Sequence, residues 1–495
     1  MSNFPGTRGE RRAYSATLGA VVAIHLAVLW IPAYNTLVDY PFHLSRAWAL
    51  HTYNRTPFFQ EVFVRVFDPM PNLAIDLIVP PLLHFLPPIA AGKVFLSMIV
   101  LLFAAGCHWL TMAVYDRPSW MAPLAVFAVF NSTFFYGLVN SAFSLSLFLI
   151  TMAAWLRFRR GWTVFRWLIV AVLATATYIA HLSGFVFLGL AMGLWRLLEF
   201  REKQRVRTVD LVGFCILLPA VLIQLYPWAN KVQIGAQILW GSPVKKTVGL
   251  ASVFLGFRYD LDVLATALLA VAFAIAAWKG KARMERHLLW LGVAFLILSF
   301  ACPTQLTAGG GSAADARFVP PALVFLCLSF GAKCPRSAGV LALAIAYSAM
   351  LLRIGEVGWN LNQMSSAAEL QIAALAKAKP NTRVYDLFLM TQDRQELKRV
   401  RGNWHLPSYS LLLTQSVSSD FYGVRGVQPL YFRNPAEWVF SENPTLFHPE
   451  FLDAHLGRFD YVWGCNLDPP HIGYLEQRAT LVATGDICGL WKLKK

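Results

Sequence analysis

Runs of roughly 17 to 22 apolar residues recur through the first 355 positions, separated by short polar stretches, and this pattern leaves few folds open. A segment of that length is what an α-helix needs to cross a hydrocarbon layer about 30 Å thick. Lipid offers the backbone no water, so each crossing segment must close its own hydrogen bonds as a helix. The sequence therefore predicts an α-helical polytopic membrane protein. Across 495 residues, 57% are hydrophobic and 14% charged, against about 25% charged in a soluble domain.

The formal charge of +16 brings nucleic acid to mind, but the basic residues lie in short clusters between apolar runs rather than in one patch. Nucleic acid is set aside as a partner on that ground. Five clusters point to one membrane face: Arg8/Arg11/Arg12, Arg157/Arg159/Arg160, Arg201/Lys203/Arg205/Arg207, Lys279/Lys281/Arg283/Arg286 and Lys333/Arg336. The positive-inside rule makes that face cytoplasmic. The expectation is about eleven spans, near residues 13–33, 91–114, 119–135, 138–156, 163–180, 182–198, 209–228, 261–278, 287–303, 318–332 and 338–355.

The run from Tyr14 to Ile31 lacks a small-residue cleavage site and reads as a retained start-transfer helix. With the N-terminus inside, an odd count puts everything after about residue 356 outside. Ile75 to Pro88 is apolar too, yet it is short and carries Pro80, Pro81, Pro87 and Pro88, so it reads as re-entrant or interfacial.

Two parts follow from this: a transmembrane module over 1–355 with a large outside loop at 34–75, and a small extracytoplasmic α/β domain over 356–495. Within the second, Ser365 to Lys379 reads as an amphipathic helix, and 382–389, 458–463, 479–484 and 489–493 read as strands. Cys107, Cys215, Cys302 and Cys327 fall in spans, and Cys334 in a cytoplasmic loop. Cys465 and Cys488 share the tail domain, where a disulfide and two separate thiols are both open.

Outside loops are expected at 34–75, 229–260 and 304–317, and loops of that length are where function concentrates. The first opens on Val38-Asp39-Tyr40-Pro41-Phe42-His43, just beyond the first span. A carboxylate at the lipid interface can take a proton from an acceptor hydroxyl while a lipid-linked donor approaches laterally. The plain structural reading is that Asp39 caps the helix entered at Pro41. No phosphate-binding glycine loop, nicotinamide fingerprint, HExxH or CxxC pair is present.

One helix, a large outside loop opening on an Asp, a many-helix bundle and a C-terminal outside domain together resemble the GT-C glycosyltransferases. Asp39-Tyr-Pro-Phe-His43 is similar to the Asp-x-Pro-x-His stretch in first loops of uncharacterised bacterial members. The resemblance implies transfer of a hexose or pentose from a polyprenyl-phosphate-linked donor to a glycan, lipid or protein acceptor, at the outer face of the bacterial cytoplasmic membrane. It makes Asp39 the general base, with His43 one helical turn further on. No cofactor is required on this reading, although a divalent cation is possible. Asp260 and Asp262 have a ligand-like spacing but read as helix caps.

A polyprenyl-phosphate donor also calls for cations that hold the phosphate as it leaves. Lys231, Arg258 and Arg317 are the candidates; Lys245 and Lys246 are expected to touch anionic lipid. Arg317 follows a flexible glycine-rich segment at the lip of a span, where its bland role is to snorkel toward headgroups. His181 sits between two spans at their outside end, and Glu61, Arg65, Asp68 and Asp76 are further polar partners in the first loop. The rival readings are a transporter or flippase for an amphiphilic substrate, and a non-catalytic component of an envelope polysaccharide assembly.

Overall fold

The computed structural model describes residues 7–203, 213–229, 237–244, 246–247, 257–280, 284–307, 311–330, 336–388, 405–423, 425–438 and 449–494. The apolar runs are helices. In chain order the main ones are α1 (Arg8–Trp30), α2 (Tyr40–Thr52), α3 (Ala74–Leu82), α4 (Pro88–Tyr115), α5 (Val139–Phe158) and α6 (Val164–Ala180). They continue as α7 (Leu182–Lys203), α8 (Tyr259–Gly280), α9 (Arg286–Ala301), α10 (Val319–Ser329) and α11 (Arg336–Leu375). Five of these, α1, α4, α5, α7 and α11, are long and apolar enough to cross a membrane; α6, α9, α10 and the segments Met121–Phe135 and Gly213–Leu225 are shorter apolar helices. The chain is a multi-pass membrane protein.

Polar residues decide where these helices begin and end. Thr7 and Glu10 close a capping box on α1. At the end of the bundle that carries the basic clusters, Arg157 and Arg160 converge on Asp116, while Arg159 and Arg196 converge on Glu199. Inside, α5 is the central helix, packed by α4, α6 and α7, while α8 lies along α11 and α9 along α10.

The proline-rich stretch forms α3, nine residues long with Pro80 and Pro81 inside it. At about 14 Å it cannot cross a bilayer. It lies against α2, and the side chain of Asn140 on α5 ties its entry in place. That amide donates to the Asn72 carbonyl at 2.8 Å and accepts from the Ile75 N–H at 2.9 Å.

Helix α11 runs unbroken for 40 residues, so the last apolar run and the expected amphipathic helix are one element that passes through residue 355 into the tail. The tail is built on a five-stranded sheet of β5 (Arg383–Phe388), β6 (Val417–Ser418), β8 (Tyr461–Cys465), β9 (Ala479–Gly485) and β10 (Cys488–Leu493), in the order β6-β5-β8-β10-β9. Strand β5 is parallel to both β6 and β8; β10 is antiparallel to β8 and β9. Cys465 and Cys488 face each other across β8 and β10 and form a disulfide, resolving the question the spacing left open.

The first loop belongs structurally to the tail. Its strand β1 (Phe63–Arg65) pairs antiparallel with β7 (Leu430–Phe432), and Phe42, Phe59 and Phe63 share one buried core with Tyr385, Phe421, Phe432 and Trp438. A further small sheet of β2 (Gln237–Leu239), β3 (Gln305–Thr307) and β4 (Gly311–Ser312) leads into the turn before α10.

Candidate active site

Asp39 stands at the N-cap position of α2, with Pro41 in the first turn, but its side chain makes no capping hydrogen bond. The capping reading of Asp39 therefore fails, and the carboxylate is directed elsewhere. Its backbone is pinned from the bundle: the N–H groups of Val38 and Asp39 donate to the carbonyls of Phe135 and Tyr136, each at 3.1 Å. The next residue, Gly137, has φ +75°, and a Cβ there would stand 2.5 Å from the Asp39 nitrogen. Only glycine permits both that backbone conformation and that approach.

The Asp39 carboxylate faces the tail. His405 Nε2 lies 3.6 Å from Asp39 Oδ1, and His405 Nδ1 lies 2.8 Å from Asp420 Oδ1. Asp420 Oδ2 in turn accepts from Ser408 Oγ at 3.1 Å. Asp386, at the centre of β5, is half-buried, and its enclosed Oδ1 has no hydrogen-bond partner among the described residues. Sequence reasoning missed all of this. His405 and Asp420 lie in the aromatic, His-containing part of the tail, where no spacing signals a partner for Asp39.

These groups perturb one another in a consistent way. Burial, and after it Asp420, holds the Asp39 carboxyl above its ordinary range; His405 and Arg317 act against that rise. The side chain nevertheless keeps 34% of its surface accessible to solvent. For His405, burial opposes the charge, but Asp420, Asp39 and Asp386 outweigh it and push the imidazole up to about 9. Burial and Asp420 raise Asp386 well above the usual carboxylate range. The centre of the cluster is thus the His405 imidazole, set between the Asp39 and Asp420 side chains, with its charged form favoured by them.

His43 lies one turn along α2, with only 7% of its surface exposed and its Nδ1 without a partner among the described residues. Burial, then Arg46, His405 and His181, hold its imidazole well below the ordinary value, so it is neutral. The next turn places Arg46, whose guanidinium makes two 2.7 Å bonds to Asp76 on α3, both side chains fully buried. Asp76 is thus a structural partner of Arg46.

Arg317 occupies the turn before α10, where Asp315 Oδ1 accepts from the Ala316 N–H at 2.8 Å and Asp315 Oδ2 accepts from Thr304 Oγ1 at 2.8 Å. The side chain is buried, with Nη1 2.8 Å from His181 Nε2, and its charge acts on Asp39. His181 is the C-cap of α6, and its Nδ1 accepts from the Ser183 N–H at 3.0 Å. The structure thus joins Asp39, His405 and Asp420 in one group and Arg317 with His181 in another, and the charge of Arg317 acts on Asp39 while those of His405 and His181 act on His43.

Other candidates lie apart. Arg258 is exposed and paired with Asp260 two residues on, its Nη2 at 2.5 Å from Asp260 Oδ2. Asp262 is buried instead against Arg353 of α11, at 3.3 Å, so the two aspartates point to different surroundings. Arg65 stacks on Tyr53 and donates to Asn54 Oδ1 at 3.1 Å. Asp68 is half-buried in the chain after β1, and Glu61 meets Arg383 at 3.4 Å. Lys246 donates to carbonyls at the end of α9, including Phe300 O at 2.7 Å. Lys231, Lys245 and Cys334 fall outside the described residues. Among the described residues no group of three or more His, Cys, Asp or Glu side chains is arranged to hold a metal ion.

No family model and no curated protein sequence matches the chain. Solved structures do match. ArnT from Cupriavidus metallidurans, determined in the apo state, superposes with a TM-score of 0.55 at 11% identity, covering 97% of this chain and 98% of that one. The arabinofuranosyltransferase AftD from Mycobacteria superposes with a TM-score of 0.55 at 11% identity, over 98% of this chain but 40% of its own larger one. Both carry the GT-C architecture, and the likeness spans bundle, first loop and tail alike. The fold of this chain is the GT-C fold.

Proposed function

We propose that the protein is a glycosyltransferase that moves a hexose or pentose from a polyprenyl-phosphate-linked donor to an acceptor at the outer face of the cytoplasmic membrane. The fold is shared with an arabinofuranosyltransferase. The observation that carries the reading is the partly exposed Asp39 carboxylate, 3.6 Å from His405, with the buried Arg317, paired to His181, supplying positive charge that acts on it. With the N-terminus cytoplasmic, the end of the bundle away from the basic clusters and the tail domain are extracytoplasmic.

Asp39 takes the proton of the acceptor hydroxyl as that oxygen attacks the anomeric carbon. The bond from that carbon to the phosphate oxygen breaks, and its electron pair leaves on the polyprenyl phosphate. Arg317, with His181 beside it, holds the phosphate and offsets the charge that grows on it. A carboxyl raised above its ordinary range is a stronger base than a free aspartate, which suits this role near neutral pH. His43, neutral and one turn away, is a hydrogen-bonding partner for the bound sugar or acceptor. We assign Arg258 no part in phosphate binding, because Asp260 holds it on an exposed surface.

The test is release of polyprenyl phosphate from a labelled lipid-linked sugar in proteoliposomes. Asp39→Asn should lower the rate by roughly 10²- to 10⁴-fold while donor binding persists. Arg317→Ala should weaken the donor's retention as well. Transfer is expected to survive a chelator of divalent cations. Full activity in the Asp39→Asn protein would rule the assignment out.

A further inference from the structure

The bundle alone does not complete the carboxylate site. Asp39 comes from the first loop, and His405 of the tail stands across from it at 3.6 Å. That separation is too long for a strong hydrogen bond but well within an ion pair, and it leaves the carboxylate free to bond an incoming hydroxyl. His405 is itself fixed from behind by Asp420, at 2.8 Å, which Ser408 fixes in turn. The Phe42 ring packs on Phe421 with centroids 5.2 Å apart, joining α2 to the same tail segment.

We propose that His405, held by Asp420, is a positioning residue that clamps and charge-balances Asp39, so that the tail domain completes the site. This deepens the transferase reading and rests on it for its kinetic consequence. The clamp is an imidazole between two acidic side chains, with Asp386 as a third acid whose charge acts on it. The groups that face it are Asp39 and His43 from α2, Asp386 from β5 and Asp420 from the turn after β6. Arg317 and His181 reach Asp39 and His43 from the bundle side.

Removing the His405 cation leaves Asp39 with less to stabilise its ionised form. In the labelled-donor assay, His405→Gln should shift the acidic limb of the kcat/KM profile upward by about one pH unit and lower kcat, with KM for the donor little changed. His405→Lys, which restores a cation, should bring the limb back. Asp420→Asn removes both the charge that holds His405 and a charge that raises Asp39, so its limb should move less than that of His405→Gln. If Asp39→Asn is inactive while His405→Gln keeps the wild-type profile, the clamp is wrong and the transferase reading stands. If the wild-type chain releases no polyprenyl phosphate, the transferase reading fails by itself.

The clamp is then judged by ¹⁵N-histidine spectra of the full chain in nanodiscs, which need neither activity nor a variant that folds poorly. The His405 signal should be that of an imidazolium at neutral pH in the wild type and of a neutral ring in Asp420→Asn. A neutral His405 in the wild type overturns the proposal.

Discussion

At the scale of single residues, Asp39 acquires its character from what its neighbours forbid. The N-cap position would ordinarily engage the carboxylate with its own helix, yet the side chain makes no such bond and faces His405 instead. Gly137 maintains this arrangement, since any side chain there meets the backbone nitrogens of Asp39 and Tyr40 at 2.5 and 2.6 Å. Gly137→Ala is therefore expected to move the carboxylate and lower kcat roughly tenfold to a hundredfold, as displacements near 1 Å do. Wild-type turnover in that variant would show that the close approach has no bearing on Asp39. Of this residue-scale detail the sequence led to the expectation that Asp39, His181 and Arg317 share one membrane face. It did not show His405 or Asp420, because a lone His in a loop carries no periodicity and no spacing that names its partner.

At the scale of elements, the first loop proves to be a packed unit. Helix α2 is locked to α3 by the Arg46–Asp76 pair, both side chains excluded from solvent. Asp76→Ala leaves the guanidinium buried without its counter-charge and should cost about 3–5 kcal/mol, read as a fall in thermal stability in nanodiscs. A loss below about 1 kcal/mol would mean that Arg46 escapes to water or another partner. Sequence pattern located α2 and marked the proline-rich stretch as re-entrant or interfacial, since apolar spacing and proline placement are local. It did not reveal their pairing, nor that β1 joins β7, because a three-residue strand has no pattern distinguishable from loop. The same limit hid the continuity of α11: the run changes from apolar to amphipathic near residue 355, and composition marks a boundary there although the helix has none.

At the scale of the whole molecule, loop and tail share a core, and the site lies where that shared unit meets the bundle. The charge on His405 belongs to this docking. Its folded-state value, about 9, lies above the ordinary imidazole value of 6.5, so the stabilisation is complete below that ordinary value and is lost as pH rises through about 9. The raised carboxyls of Asp39 and Asp386 act in the same direction at lower pH, while His43, held neutral, opposes them only below its ordinary range. Protection of residues 405–423 from hydrogen exchange should accordingly fall between about pH 7 and about pH 10, after correction for intrinsic exchange. Undiminished protection across that range would show that the docking does not depend on the imidazolium.

The sequence by itself determined the solvent of each segment. Lipid imposes its demand locally, one helix length at a time, so apolar runs, basic clusters and interrupting prolines expose the bundle without reference to anything distant. Only the tertiary structure decided what meets Asp39. That contact joins residues from the two ends of the chain, and it is set by β1 pairing with β7, by Phe42 packing on Phe421 and by the turn that buries Arg317. Each is a long-range match of shape and charge, and such a match leaves no periodic trace in the residues that make it.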